Sequence, residues 1–137
     1  MNDFQRRNVE GWIVEFGKTI VIGVHGDALG ADAEFHAILR SKCPHVQIEI
    51  RPGISAQDGS TIRAYTQADK EYASRTYGER NRDIVDQCDF MLGTPLNEQK
   101  RRSGTWRTLK YAHRCGKPGL IVLPGRCVDL QTFFSDT

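Results

Sequence analysis

The sequence predicts an α/β domain, a three-layer Rossmann-like arrangement with a mainly parallel sheet. Three observations predict it. Apolar runs of strand length alternate with stretches of helical periodicity along the chain. Glycine-punctuated turns precede two of the helices, at 26–30 and 103–105. Leu120-Ile121-Val122-Leu123 runs uninterrupted, as a parallel strand covered on both faces does. The expectation is a single domain over 1–137 with its core at about 19–125.

The elements follow in order. Residues 4–16 place Val9, Trp12, Ile13 and Phe16 at helical spacing, and Gly17 ends that helix. A first strand is predicted at 19–25, rich in β-branched residues. After the 26–30 turn, Phe35, His36, Ile38 and Leu39 belong to a second helix. Val46 to Ile50 alternates and reads as a second strand, more exposed than the first. From Arg51 to Tyr65 the composition is that of a surface loop, with one short strand near 61–65; loops of such length often serve as lids or binding loops. Ala68 to Cys88 reads as helix, broken at Gly78, and 89–94 as a strand. Leu96 to Arg102 is a charged loop. A helix with Leu109, Ala112 and His113 on one side follows, stopped by Gly116 and Pro118. A strand at 119–123 and a short closing helix at 127–134 complete the chain.

Composition narrows the function. Of 137 residues, 39% are hydrophobic and 26% charged, which suits a globular protein. A net charge of +2, from 19 basic and 17 acidic residues, argues against a general nucleic-acid binder. Cys43, Cys88, Cys115 and Cys127 form no CxxC pair, and His25, His36, His45 and His113 complete no two-plus-two ligand set. No metal site and no cofactor are therefore expected. Reduced cysteines, and the lack of a signal peptide or an apolar run of spanning length, predict a cytoplasmic location without a membrane partner.

In parallel sheets ligands bind outside the carboxyl ends of the strands. Those ends are expected at His25-Gly26-Asp27, at Gly93-Thr94-Pro95 with Ser103-Gly104-Thr105, and at Pro124-Gly125. The first turn is neither GxGxxG nor a Walker loop. Glycine at 26, 30 and 104 permits close backbone approach, and helix starts offer free N–H groups to an anion. Ser103 and Thr105 either cap the helix or touch phosphate. Arg80 either forks onto a phosphate or pairs with Glu79, Asp83 or Asp86; Asn81 holds a turn or a ribose hydroxyl. Trp106 and Tyr111 stack on a base or fill the core. Asp27 and Asp32 can meet a ribose hydroxyl or do acid–base work, with helix capping the alternative at Asp32. With Glu79 they are the carboxylates placed near the predicted site, and so the catalytic candidates for an N-glycosidase.

Three segments, HGDALGAD, ERNRDIVDQCDFMLGTP and RRSGTWRTLKYAHRCGKPGLIVLPG, resemble the SLOG superfamily of Rossmann-like domains. That superfamily includes the core of DNA-processing protein A, the lysine decarboxylase-like cytokinin-riboside-monophosphate phosphoribohydrolases, and small nucleotide-sensing domains. The resemblance covers about 19–125. Arg80-Asn81-Arg82, Ser103-Gly104-Thr105 and Leu123-Pro124-Gly125 stand where the DNA-processing proteins have an Arg-Asn-Arg helix start, a Ser-Gly-Ser turn and a strand ending Val-Pro-Gly. The phosphoribohydrolases carry Pro-Gly-Gly-x-Gly-Thr-x-x-Glu, with a catalytic final glutamate. Gly104-Thr105 matches its Gly-Thr, but Thr108 holds the glutamate position, and a longer loop from Leu96 to Ser103 replaces Pro-Gly-Gly. The resemblance thus implies binding of a nucleotide or an ADP-ribose-like compound, as sensor or sequestering protein, over hydrolysis. It also implies a homodimer. Single-strand DNA binding is the third reading, kept by Lys100-Arg101-Arg102. One anionic pocket is expected to join the 26–30 turn, Arg80 and the 103–105 turn.

Overall fold

The computed structural model describes residues 1–98 and 103–135; the Lys100-Arg102 cluster lies outside them. The chain is mixed α/β and forms two compact units, Glu10–Ile84 and Met1–Val9 with Val85–Thr137. Helix α1 (Asp3–Phe16) contributes to both.

In the Glu10–Ile84 unit, β1 (Ile22–His25) pairs in parallel with β2 (Gln47–Ile50) across helix α2 (Ala31–Lys42). The expected start at Thr19 is too early, because Gly17–Thr19 forms a 3-10 turn closed by the Ile20 N–H on the Gly17 carbonyl at 3.2 Å. β2 is the more buried of the two strands, against the expectation from its alternation. It is flanked by β1 and by β4 (Lys70–Glu71), again parallel, and Ile48, Glu49 and Ile50 are all buried. Glu49 is kept there by hydrogen bonds from the Tyr72 hydroxyl at 2.8 Å and the Gln47 amide at 2.9 Å.

The expected helix from Ala68 begins only at Tyr77, as α3 (Tyr77–Gln87). Residues before it pair as β4 and as β5 (Arg75–Thr76), the latter parallel to β3 (Gly53–Ile54). Ladder bonds to β2 and β3 override the helical composition of this stretch. The short strand expected at 61–65 is absent for a related reason: its backbone is bound instead to Asp27. Gly78 is not a break but sits in the first turn of α3.

In the other unit, β6 (Met91–Gly93) pairs in parallel with β7 (Gly119–Val122). The expected closing helix is in part a strand: β8 (Cys127–Asp129) runs antiparallel to β7, and helix α5 is Leu130–Ser135. Helix α4 (Gly104–Arg114) ends in a Schellman turn, with Gly116 at φ +71° and the Lys117 N–H on the Ala112 carbonyl at 3.0 Å. The core gathers Val85, Met91, Leu109, Ala112, Ile121, Leu123 and Leu130 around Trp106, which stacks on Phe133 at 5.5 Å between ring centroids. Trp106 is thus a core residue. Among the described residues no helix is long and apolar enough to cross a membrane.

Candidate functional site

The parallel strands β1 and β2 end side by side, the Arg51 N–H bonding the His25 carbonyl at 2.9 Å. Beyond them the carbonyls of Gly26 and Arg51 are taken by one side chain, Arg80, from the first turn of α3. Its Nη1 donates to the Gly26 oxygen at 2.6 Å and to the Arg51 oxygen at 3.2 Å, and its Nε to the Asn81 side chain at 2.8 Å. Two glycines make room for it. A Cβ at position 26 would overlap the guanidinium, and one at 53 would stand 3.2 Å from Cζ and overlap the Tyr77 ring. Arg80 is only 7% exposed. Among the described residues no carboxylate forms an ion pair with it, and its Nη2 makes no hydrogen bond. Burial disfavours its charge, opposed by the fields of Asp32, Tyr77 and Asp27.

The turn between β1 and α2 is filled by its own acids. Asp32 folds back so that its Oδ2 accepts the N–H groups of Gly26 at 3.1 Å and Ala28 at 3.0 Å. Gly30, at φ +85°, caps α2 in a conformation open to glycine, and its carbonyl accepts the Glu34 N–H at 2.9 Å. Asp27 stands at φ +58° with its side chain fully buried. Its Oδ1 accepts the Thr66 hydroxyl at 2.6 Å and the Thr66 N–H at 2.9 Å; its Oδ2 accepts Arg63 Nε at 2.7 Å and the Tyr65 N–H at 3.1 Å. Burial alone would raise the Asp27 carboxyl, but Thr66 and then Arg63 hold it below the ordinary value. The Ala64 N–H bonds the Asp27 carbonyl at 2.8 Å, so the end of the 51–65 loop is tied to this turn.

Below Asp27 lies a buried histidine pair. The Asp27 N–H donates to His25 Nδ1 at 2.9 Å, so that nitrogen carries no proton in the neutral ring. The proton sits on Nε2, which faces His36 Nδ1 at 2.9 Å. Burial, first of the causes, lowers the pKa of both rings.

Glu79 is placed differently. It is exposed, and its Oε1 accepts the Thr76 hydroxyl at 2.8 Å and N–H at 3.3 Å, which is the glutamate half of a Thr-x-x-Glu capping box at the start of α3. Thr76, then Arg75, holds its carboxyl below the ordinary value. Asp32, Asp27, Gly26, Gly30, Arg80 and Asn81 therefore gather at one strand edge, with Glu79 serving the helix.

Ser103, Gly104 and Thr105 belong to the other unit. Ser103 is the N-cap of α4, its Oγ accepting the Trp106 N–H at 3.2 Å. Gly104 and Thr105 are exposed, and the Thr108 hydroxyl bonds the Gly104 carbonyl at 2.7 Å. A shallow cleft of about 130 Å³ is lined by Leu96, Asn97, Ser103, Thr105 and Trp106.

Arg63, Thr66, Gly53, Tyr77 and the His25–His36 pair have parts here that sequence reasoning did not assign. For two of them a signal exists: Pro52-Gly53 soon after a strand for Gly53, and Thr76-x-x-Glu79, which marks the true start of α3, for Tyr77. No group of three or more His, Cys, Asp or Glu among the described residues is arranged to hold a metal ion. Scans against protein-family models, curated proteins and solved structures return no match.

Proposed function

We propose that this chain binds a phosphorylated nucleoside or a related nucleotide-derived compound, as a sensor or sequestering protein, with the anionic group of the ligand on Arg80. One observation carries the reading: a guanidinium almost wholly out of water whose partners, among the described residues, are neutral oxygens and the face of the Tyr77 ring, 5.3 Å from Cζ to its centroid, with no carboxylate in contact. Burying a charge is costly unless an opposite charge completes it. The place is also where parallel strands present ligands, just beyond the carboxyl ends of β1 and β2. Gly26 and Gly53 let the guanidinium lie directly against the backbone there, where a side chain would displace it or the Tyr77 ring. The proposal includes the SLOG-type Rossmann-like layering, the cytoplasmic location and the homodimer that the resemblance implies.

Binding without hydrolysis is the better-supported form of the reading. Each carboxylate considered for the N-glycosidase is already engaged: Asp27 by four hydrogen-bond donors, Asp32 by two backbone N–H groups, Glu79 by its capping box. The lowered pKa values of Asp27 and Glu79 oppose a general-acid role.

The test is calorimetry with adenosine monophosphate on the intact protein and on Arg80→Ala and Arg80→Lys. Arg80→Ala is expected to weaken binding by about 1.5–3 kcal/mol, the worth of a hydrogen bond to a charged group. Arg80→Lys recovers part of that, since an ammonium keeps the charge and loses the fork. Unchanged affinity in Arg80→Ala, with an unchanged circular dichroism spectrum, would refute the reading.

A further inference from the structure

The β1–α2 turn has the parts of a phosphate cradle: a glycine-rich loop, a helix start, and backbone N–H groups aimed at one point. That point is occupied by a carboxylate of the same chain, Asp32, on the N–H groups of Gly26 and Ala28. The occupant is ionic and local, held from the first turn of α2, where the helix dipole favours a negative charge. Next to it stands Arg80, tied to the Gly26 carbonyl and feeling the field of Asp32 without contacting it. The two features are thus adjacent and of opposite sign. One is a cation that no carboxylate contacts among the described residues; the other is a carboxylate held on two backbone N–H groups.

We infer that Asp32 makes this site select a single phosphate group, by keeping a second phosphate out of the β1–α2 turn with its own carboxylate. The inference rests on the reading that the ligand's anion sits on Arg80, and it narrows the ligand. One phosphate neutralises Arg80 and leaves Asp32 in place. A diphosphate aligned along the turn brings its second charge against the Asp32 carboxylate, and like charges in contact are strongly unfavourable. A nucleoside monophosphate or phosphosugar satisfies the site; a nucleoside diphosphate, or a pyrophosphate-bridged compound of the ADP-ribose kind, does not. Asp32 is a specificity-determining residue here.

The experiment titrates inorganic phosphate, pyrophosphate, adenosine monophosphate and adenosine diphosphate into the intact protein and into Asp32→Asn and Asp32→Ser. Asparagine keeps the shape and the oxygen acceptor without the charge; serine keeps a small polar group at the helix start, so two independent variants report on one charge. In the wild type the monophosphate is expected to bind at least as tightly as the diphosphate. In both variants the diphosphate and pyrophosphate tighten by about tenfold or more, and the monophosphate and phosphate by less. A wild-type preference for the diphosphate overturns the inference, as does an unchanged diphosphate-to-monophosphate ratio in the variants. Should adenosine monophosphate not bind, or bind without regard to Arg80, the functional reading fails by itself. The inorganic pair then still decides on Asp32: a selective gain for pyrophosphate upholds the exclusion, and no gain ends it.

Discussion

The turn from Gly26 to Gly30 and the turn from Ser103 to Thr105 have the same local design, a small polar loop with glycine leading into a helix of three turns. Their contents differ. In the first, Asp32 occupies the N–H groups, Asp27 is buried beneath four donors, and Arg80 lies on the Gly26 backbone. In the second, Ser103 supplies a cap, and Gly104 and Thr105 face solvent. A glycine-entered helix start is therefore only a capacity for anion binding. What fills it is local in both turns, Asp32 in the first and Ser103 in the second, while residues far away in sequence, Arg63, Thr66 and Arg80, engage the rest of the first turn.

The sharpest way to break this contrast is to remove the buried acid. Asp27→Ala leaves Arg63, two backbone N–H groups and the Thr66 hydroxyl without their common acceptor, and it places alanine at φ +58°. The expected loss is about 3–5 kcal/mol of stability, as for a broken buried ion pair. Denaturant unfolding measures it. A loss below about 1 kcal/mol, the size of one ordinary hydrogen bond, would mean that the loop end is not held through Asp27.

How far the two turns were legible follows from the range of their interactions. The Schellman stop at Gly116 and the strand at 119–122 depend on near neighbours and on an unbroken apolar run, so their pattern is local. Ser103 as a cap was readable for the same reason. The stretch from Ala68 to Thr76 was misread because Lys70-Glu71 takes its shape from β2, some 20 residues away. Asp27 carries a similar lesson. Its sequence neighbours do not reveal that residues 63–66 will saturate it, since the ties span 36 to 39 positions. Arg80 was singled out from the sequence, but the absence of a carboxylate in contact with it among the described residues was not legible there. Glu79, Asp83 and Asp86 all stand on its own helix, yet Arg75 takes both Glu79 and Asp83, and Asp86 accepts from Tyr111.

A smaller effect separates the turns by pH. His25 and His36 both have their pKa lowered, first by burial, with Asp32 and Asp27 opposing at His25 and Arg40 assisting at His36. The sign follows directly. The unfolded chain protonates these rings below about pH 6.5 while the folded chain resists, so the unfolded state binds more protons and stability falls as pH drops below that value. Arg80 adds to the lowering at His25, and Asp69 opposes it at His36. Exchanging His36 for glutamine, which cannot protonate, is expected to flatten the pH dependence of unfolding between about pH 6.5 and 5. An identical slope in wild type and His36→Gln would show that the pair does not titrate with folding. The Ser103–Thr105 turn has no such histidine pair in its cap, so no change is expected in its helix over the same range.

The smallest effect lies at the second turn and tests whether it is only a cap. Ser103 accepts the Trp106 N–H, while Arg107 bonds the Ser103 carbonyl at 3.0 Å, so among the described residues the hydroxyl serves one of the helix's orphan donors. Ser103→Ala is expected to cost about 1 kcal/mol, and Ser103→Asp close to nothing, since aspartate caps as well as serine and also favours the positive end of the helix dipole. Anion binding would respond in the opposite order. A phosphate held by the N–H groups of Gly104 and Thr105 would survive the alanine change and be repelled by the aspartate. Measuring the stability and the adenosine monophosphate affinity of both variants therefore separates the two roles. Affinity unchanged in Ser103→Asp leaves this turn as a structural cap; a marked loss in that variant alone would make the exposed turn, and not Arg80, the place to look for the ligand's charge.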